Sequence, residues 1–249
     1  MLEFMKQRAT LRQYSEKPVS EELLNELLDI ACRASNTGNM QLYSIVITRD
    51  AATKQALAPA HFNQPQVTTA PLVLTFCADL NRYTKWCLQR DANPGFDNIQ
   101  SLTYASIDAV IASQAFCTAA EAHGLGICYL GTTTYNADKI IDVLQLPSLV
   151  MPIVTISVGY PAADPVPCER LPLAAIVHDN VYRDYSPSDI DALFSEKENL
   201  PANKHYVEIN NKQTLAQVFT DIRYTKKDNE FFSGTFVETL RRQGFLKLV

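Results

Sequence analysis

Arg8 and Arg12 stand four residues apart in the stretch KQRATLRQYSEKPVS, residues 6 to 20, with Thr10 between them. A guanidinium is a planar fork of N–H donors that matches the oxygens of a phosphate, and a threonine hydroxyl adds one more donor. Anion binding is the chemistry within reach, although two solvated arginines would show the same spacing. A second polar cluster, ASNTGNMQLYS at residues 34 to 44, holds Asn36, Thr37, Asn39 and Gln41 around Gly38. So many amides and hydroxyls can bond the polar edge of a ring, or simply form a polar turn.

Other chemistries find no support in the residues. GLGICYLG has the glycines of a dinucleotide loop, but they follow a helical stretch and open a strand, the reverse of the Rossmann order. No Walker A stretch, H-E-x-x-H or G-x-S-x-G is present. The histidines, His61, His123, His178 and His205, lie far apart without ligand spacing, so no metal site is expected. His123 before Gly124 reads as the C-terminal residue of a helix. A formal charge of -5 argues against nucleic-acid binding by counterion release. The six cysteines show no C-x-x-C spacing and several sit in apolar runs, as expected of buried thiols in a reducing compartment. With no apolar leader at the N-terminus and no run long enough to span a bilayer, a soluble, cytoplasmic protein is expected, with neither membrane nor nucleic acid as partner.

The elements that must position these residues can be read from periodicity. Ser20 is a candidate N-cap for EELLNELLDIACRAS, whose leucines recur at helical spacing. Tyr43 to Asp50 and Pro71 to Asp79 are short β-branched runs with the helical ATKQALAPA between them. Residues 79 to 98 lose periodicity and read as a lid. LTYASIDAVIASQAFCTAAEAHG makes the longest helix, central or interfacial, close-packed on every side because its residues are small. GICYLG and MPIVTISVGYP add two strands separated by the helix NADKIIDVLQ, and helical stretches return in DIDALFSE and NEFFSGTFVETLRRQGF. These four strands with long helices predict an α+β or α/β fold. One domain is expected over 1–249. Its last part, 185–249, is too thin in apolar residues for a core of its own and reads as an arm that wraps a partner subunit.

Taken together, RATLR, the loop at 34 to 44, and GYP followed by CERLP resemble the FMN-dependent nitroreductase family. That family carries R-x-S-x-R near its start, S-S-x-N-x-Q after its first long helix, and a basic element after a strand ending in Gly-Tyr-Pro. The R-L-P spacing, FCADLNR and the long tail look most like its flavin reductase P and major oxygen-insensitive nitroreductase group. The resemblance implies an α+β fold with a mixed sheet flanked by helices, in an intertwined homodimer with an extended C-terminal arm, with FMN at the interface and NADPH or NADH as co-substrate. Hydride would pass by a ping-pong route through flavin N5 to a small-molecule acceptor: a nitroaromatic, a quinone or free flavin.

By the same resemblance Arg8, Thr10 and Arg170 would hold the FMN phosphate, and Arg12 would face the ribityl chain and the pyrimidine edge. Asn36, Thr37, Asn39 and Gln41 would bond the flavin, across the dimer if the loop comes from the partner. Gln64 would bond the pyrimidine side, and the main chain near Gly131 and Thr132 would approach N5. No side chain is expected to act as obligatory acid or base; Arg12 would tune the flavin. Cys168 stands where the group usually has a lysine, which would weaken the hold on FMN. The segment that reads the NADPH 2'-phosphate in relatives is here NKHYVEINNKQ, without arginine; Arg223, Lys226 or Lys227 could substitute. Same-fold chemistry, dehalogenation or flavin fragmentation, and flavin binding without turnover are the alternatives.

Overall fold

The four apolar runs become four strands: β1 Tyr43–Thr48, β2 Leu72–Asp79, β3 Gly126–Leu130 and β4 Val150–Gly159. The computed structural model describes residues 3–246. The strands form one sheet in the order β1-β2-β4-β3. A mixed sheet was expected; all three pairings among the described residues are antiparallel. All eight residues of β2 are buried, so its two faces are both covered and its sequence shows no polar alternation.

The long helix Ile99–Ala122 lies over the sheet with Ala105, Ala109, Ala112, Phe116 and Ala120 fully buried. These residues recur every three or four positions, and the missing side-chain bulk lets the helix approach the strands closely. Phe116 meets Phe76 of β2 edge-on, with centroids 6.2 Å apart. The helix Glu21–Cys32 starts at Ser20, whose hydroxyl accepts from the Leu23 amide at 3.2 Å, and buries Leu24, Leu27 and Ala31 in the same core. Close packing on every side does not hold for the long helix. Ile99, Ile107, Val110 and Ile111 are exposed and, with Phe236 and Leu240, line an apolar groove of about 440 Å³.

Residues 79 to 98 are not irregular throughout, because Asn81–Leu88 is helical. The Asp79 carboxylate accepts from the Arg82 amide at 3.1 Å and ties down the first turn. Only Cys87 of this helix is buried, so no apolar period marked it in the sequence. Pro201–Ile209, which runs into the NKHYVEINNKQ stretch and is not among the expected helices, is also helical, with proline in its first turn.

The chain forms two compact units, Cys168–Phe231 and the remainder. The tail expected to leave as an arm at 185 is thus divided, because from Phe232 onward it belongs with the sheet, where Leu240 and Phe245 are core residues. In the second unit, Ser186 caps the helix Pro187–Asn199 through a reciprocal bond pair with Asp189.

Candidate functional site

The stretch carrying Arg8, Thr10 and Arg12 lies on the free edge of β3. The Leu11 amide donates to the Ile127 carbonyl at 3.0 Å, extending the ladder by one bond. Beyond it, Tyr14 donates to main chain and bonds the Ser157 hydroxyl at 2.7 Å. Gly126 and Gly159 face each other across β3 and β4. A Cβ on Gly126 would stand 2.6 Å from Leu11 Cβ, and one on Gly159 would stand 2.8 Å from the Tyr14 ring. Two glycines are therefore what lets the segment lie flat on the sheet end.

The cations differ in their surroundings. Arg8 Nε pairs with Glu121 at 3.1 Å, leaving its terminal nitrogens for a ligand. Burial pushes the Glu121 carboxyl up while Arg8 pulls it back down. Arg12 is exposed and has no carboxylate partner among the described residues, and the Thr10 hydroxyl likewise bonds to none of them. Both guanidiniums lie near enough to Cys128 of β3 to oppose the burial that raises its thiol pKa.

Cys128 links this edge to Gln64. The buried Gln66 amide sits 3.9 Å from the Cys128 sulfur and donates to Gln64 Oε1 at 2.7 Å. Gln64 follows two left-handed residues, Phe62 (φ 52) and Asn63 (φ 53), which turn it back toward β3. The next loop is held against the same turn: His61 Nδ1 bonds Thr132 Oγ1 at 2.8 Å, and Asn136 donates to the Ala60 carbonyl at 2.9 Å. His61 is fully buried, which lowers its pKa to about 4, and its Nε2 has no partner among the described residues. Beside Thr132, a side chain on Gly131 would meet nothing within 4 Å. Phe62, Tyr135 and Phe232 form an aromatic wall nearby, the last two stacked at 4.7 Å.

The structure thus brings together Arg8, Thr10, Arg12, Gln64, Gly131 and Thr132 around β3. It does not bring Asn36, Thr37, Asn39 and Gln41 to them. That loop, with left-handed Gly38, Asn39 and Gln41, precedes β1 and bonds elsewhere. Thr37 donates through its amide (2.8 Å) and hydroxyl (3.0 Å) to buried Asp108 of the long helix, and Gln41 donates to Asn36 and Asn39. The Arg82 guanidinium holds the Gln41 and Tyr43 carbonyls, and Ser44 bonds Asp79. The two clusters occupy diagonal corners of the sheet. Tyr43 pairs with Ala78, which pairs with Met151 at one end of β4, whereas Gly126 pairs with Gly159 at the other. At strand spacing the corners are about 14 Å apart across the sheet and about 25 Å along it.

Arg170 lies in the second unit, exposed, with its guanidinium on the Cys168 and Glu169 carbonyls at 3.1 and 2.9 Å. There Lys197 pairs with Glu169 at 3.0 Å, Lys212 with Asp221 at 2.9 Å, and Arg223 stacks over Tyr206. His61, Gln66, Cys128 and Asp108 were missed as site-building residues, because a lone buried polar residue carries no local signature. For His61 and Gln66 the only signal is the stretch AHFNQPQ around Gln64. Among the described residues no helix is long and apolar enough to cross a membrane.

The Nitroreductase family model matches residues 5–160. An FMN reductase (NADPH) of Bacillus subtilis is 33% identical over 70% of each chain, and the oxygen-insensitive NADPH nitroreductase of Salmonella typhimurium is 31% identical over 95% of this chain and 94% of its own. Among solved structures, a Bacteroides fragilis protein assigned by inference as an oxidoreductase is 55% identical. It superposes with TM-score 0.97 over 98% of this chain and 100% of its own. The NfrA1 nitroreductase of Bacillus subtilis is 27% identical, with TM-score 0.86 over 98% of each chain. With more than half of its length matched by the family model and both site segments of β3's edge inside the match, the chain belongs to the nitroreductase family, a family of oxidoreductases.

Proposed function

We propose that the chain is an FMN-dependent reductase that takes electrons from NAD(P)H and passes them to a small acceptor such as a nitroaromatic, a quinone or free flavin. The observation that carries this reading is the set of donors around β3 that no carboxylate takes up: Thr10, Arg12 and the free end of the Gln64 amide, beside the open space at Gly131. Cationic forks next to neutral amide donors suit a ligand with a phosphate at one end and a polar ring edge at the other. These residues fit FMN. FMN, when bound, supplies a two-electron carrier that accepts hydride from the nicotinamide and reduces the acceptor in a second half-reaction. Arg8 and Thr10 would bind its phosphate in this reading, and Arg12 would lie at the ribityl chain and pyrimidine edge, where a cation favours the reduced anion. The Gly131–Thr132 main chain, steadied by the His61–Thr132 bond, would approach the flavin. Similarity to an FMN reductase (NADPH) and an oxygen-insensitive NADPH nitroreductase supports the donor and acceptor classes and the flavin reductase P and major oxygen-insensitive nitroreductase group.

The diagonal separation of the two clusters supports a homodimer, in which Asn36, Thr37, Asn39 and Gln41 come to FMN from the partner subunit. The apolar groove of the long helix is the face such a partner would cover. The thiols, buried in four of six cases, agree with a reducing, cytoplasmic setting.

The test is an absorption spectrum of purified protein loaded with FMN, followed anaerobically by NADPH and then NADH, on wild type and Arg12→Ala. Wild type is expected to retain FMN and be bleached by at least one nucleotide. Arg12→Ala should bind FMN about 10- to 100-fold more weakly, the loss of one charge-assisted contact of about 1.5–3 kcal/mol. A wild-type protein that retains no FMN would end this reading.

A further inference from the structure

The hydrogen bonds behind Gln64 have a direction. A thiol carries one hydrogen, and Cys128 gives its own to the Tyr129 carbonyl at 3.5 Å. Burial raises the thiol's pKa against the pull of Arg12, so the hydrogen is in place at neutral pH. With that hydrogen committed, the sulfur can meet its other neighbours only as an acceptor. Gln66 accordingly turns its Nε2 toward the sulfur, at 3.9 Å, and its second Nε2 hydrogen goes to Gln64 Oε1 at 2.7 Å. The Gln64 carbonyl is thereby engaged, and its Nε2 has no partner among the described residues.

We propose that Gln66 and Cys128 are positioning residues which fix the Gln64 amide with its NH2 outward, so that Gln64 meets the flavin pyrimidine as a donor. This rests on the FMN reading above. The pyrimidine edge offers two carbonyl oxygens and one N–H, and reduction adds negative charge near N1 and the C2 carbonyl. A donor there stabilises the reduced form more than the oxidised form, and an acceptor does the reverse. Amide direction is therefore a setting for the flavin's potential, held two residues away from the ligand.

The experiment measures the two-electron midpoint potential of bound FMN and the dissociation constant of oxidised FMN in the full-length holoprotein. The variants are Gln64→Leu, Gln66→Glu, Gln66→Met, Cys128→Ser and the double Gln64→Leu/Gln66→Glu. A carboxylate at position 66 can only accept, so Gln64 must turn its NH2 inward and offer its carbonyl to the ligand. Gln64→Leu and Gln66→Glu are each expected to lower the reduced-to-oxidised affinity ratio about tenfold, a fall of about 30 mV for a two-electron couple. Gln66→Met, which frees the amide without adding a charge, should give about a threefold fall in the same direction and covers failure of the buried carboxylate variant to fold. Cys128→Ser keeps one donor and its acceptors and should hold the wild-type potential. In the double variant Gln66→Glu should add nothing to Gln64→Leu. A further tenfold fall there would mean that the charge acts directly, and would overturn the proposal, as would a wild-type potential in Gln66→Glu and Gln66→Met when Gln64→Leu lowers it. If Gln64→Leu changes neither potential nor affinity, Gln64 is not at the flavin, and the FMN assignment of this residue fails first.

Discussion

Gly126→Ala tests whether the β3 edge is the anion site through a residue that touches no ligand. The new Cβ would stand 2.6 Å from Leu11 Cβ and 2.9 Å from its Cγ, against an ordinary carbon contact of about 3.5–4.0 Å. Leu11 Cβ is fixed by the main chain, so no rotamer relieves the overlap and the segment must move by about 1 Å. That movement stretches the 3.0 Å bond from the Leu11 amide to Ile127, costing about 1 kcal/mol. Residual overpacking costs a further 1–3 kcal/mol or so. Arg8 and Arg12 flank Leu11 and move with it, so a charge-assisted contact of about 1.5–3 kcal/mol is also lost to a bound phosphate, roughly a 10- to 100-fold weakening. The assays are thermal unfolding without ligand and fluorescence titration with FMN. Gly95→Ala, where a Cβ meets nothing within 4 Å, is the control and should match wild type in both. A Gly126→Ala protein with wild-type melting temperature and FMN affinity would refute the packing argument and the site together.

Removing the Asp108 carboxylate by Asp108→Ala leaves the Thr37 amide and hydroxyl without their acceptor. Hydrogen exchange at the Thr37 amide should quicken at least about tenfold, with a stability loss of about 1–3 kcal/mol; unchanged exchange would show that the loop is held by something else. For His61, the folded pKa near 4 lies below its unfolded value of about 6.5. The unfolded chain therefore binds the proton first, and the histidine's contribution is complete above about pH 6.5 and is lost as pH falls toward 4, by about 3 kcal/mol. Urea unfolding at pH 7 and 4.5 should show that loss in wild type and a smaller one in His61→Asn, and equal losses would contradict it. Ile107→Glu, on the exposed apolar face of the long helix, is expected to shift gel-filtration elution from dimer to monomer and lower FMN retention. An unchanged elution volume would place the subunit contact elsewhere.

The sequence by itself determined the four strands and the helices that pack on them, but not the helices Asn81–Leu88 and Pro201–Ile209. Short apolar runs located all four strands, leucines at helical spacing located the helix Glu21–Cys32, a long run of small apolar residues located Ile99–Ala122, and Ser20 and His123 marked helix ends where local hydrogen bonds decide the boundary. Arg8, Arg12, Asn36 and Gln41 were legible because each sits in a motif of short span. What only the tertiary structure decided is which of them share a corner of the sheet. Asn36 to Gln41 and Arg8 to Arg12 look equivalent in sequence, but antiparallel pairing in the order β1-β2-β4-β3 sends them to opposite corners. The same holds for the residues that support the site. Gln66 is two positions from Gln64 and Cys128 is 62 positions from Gln66, yet the direction of the Gln64 amide depends on both. Periodicity reports which face is buried, whereas the direction of a hydrogen bond depends on which partners the fold places opposite, and no local pattern carries that information.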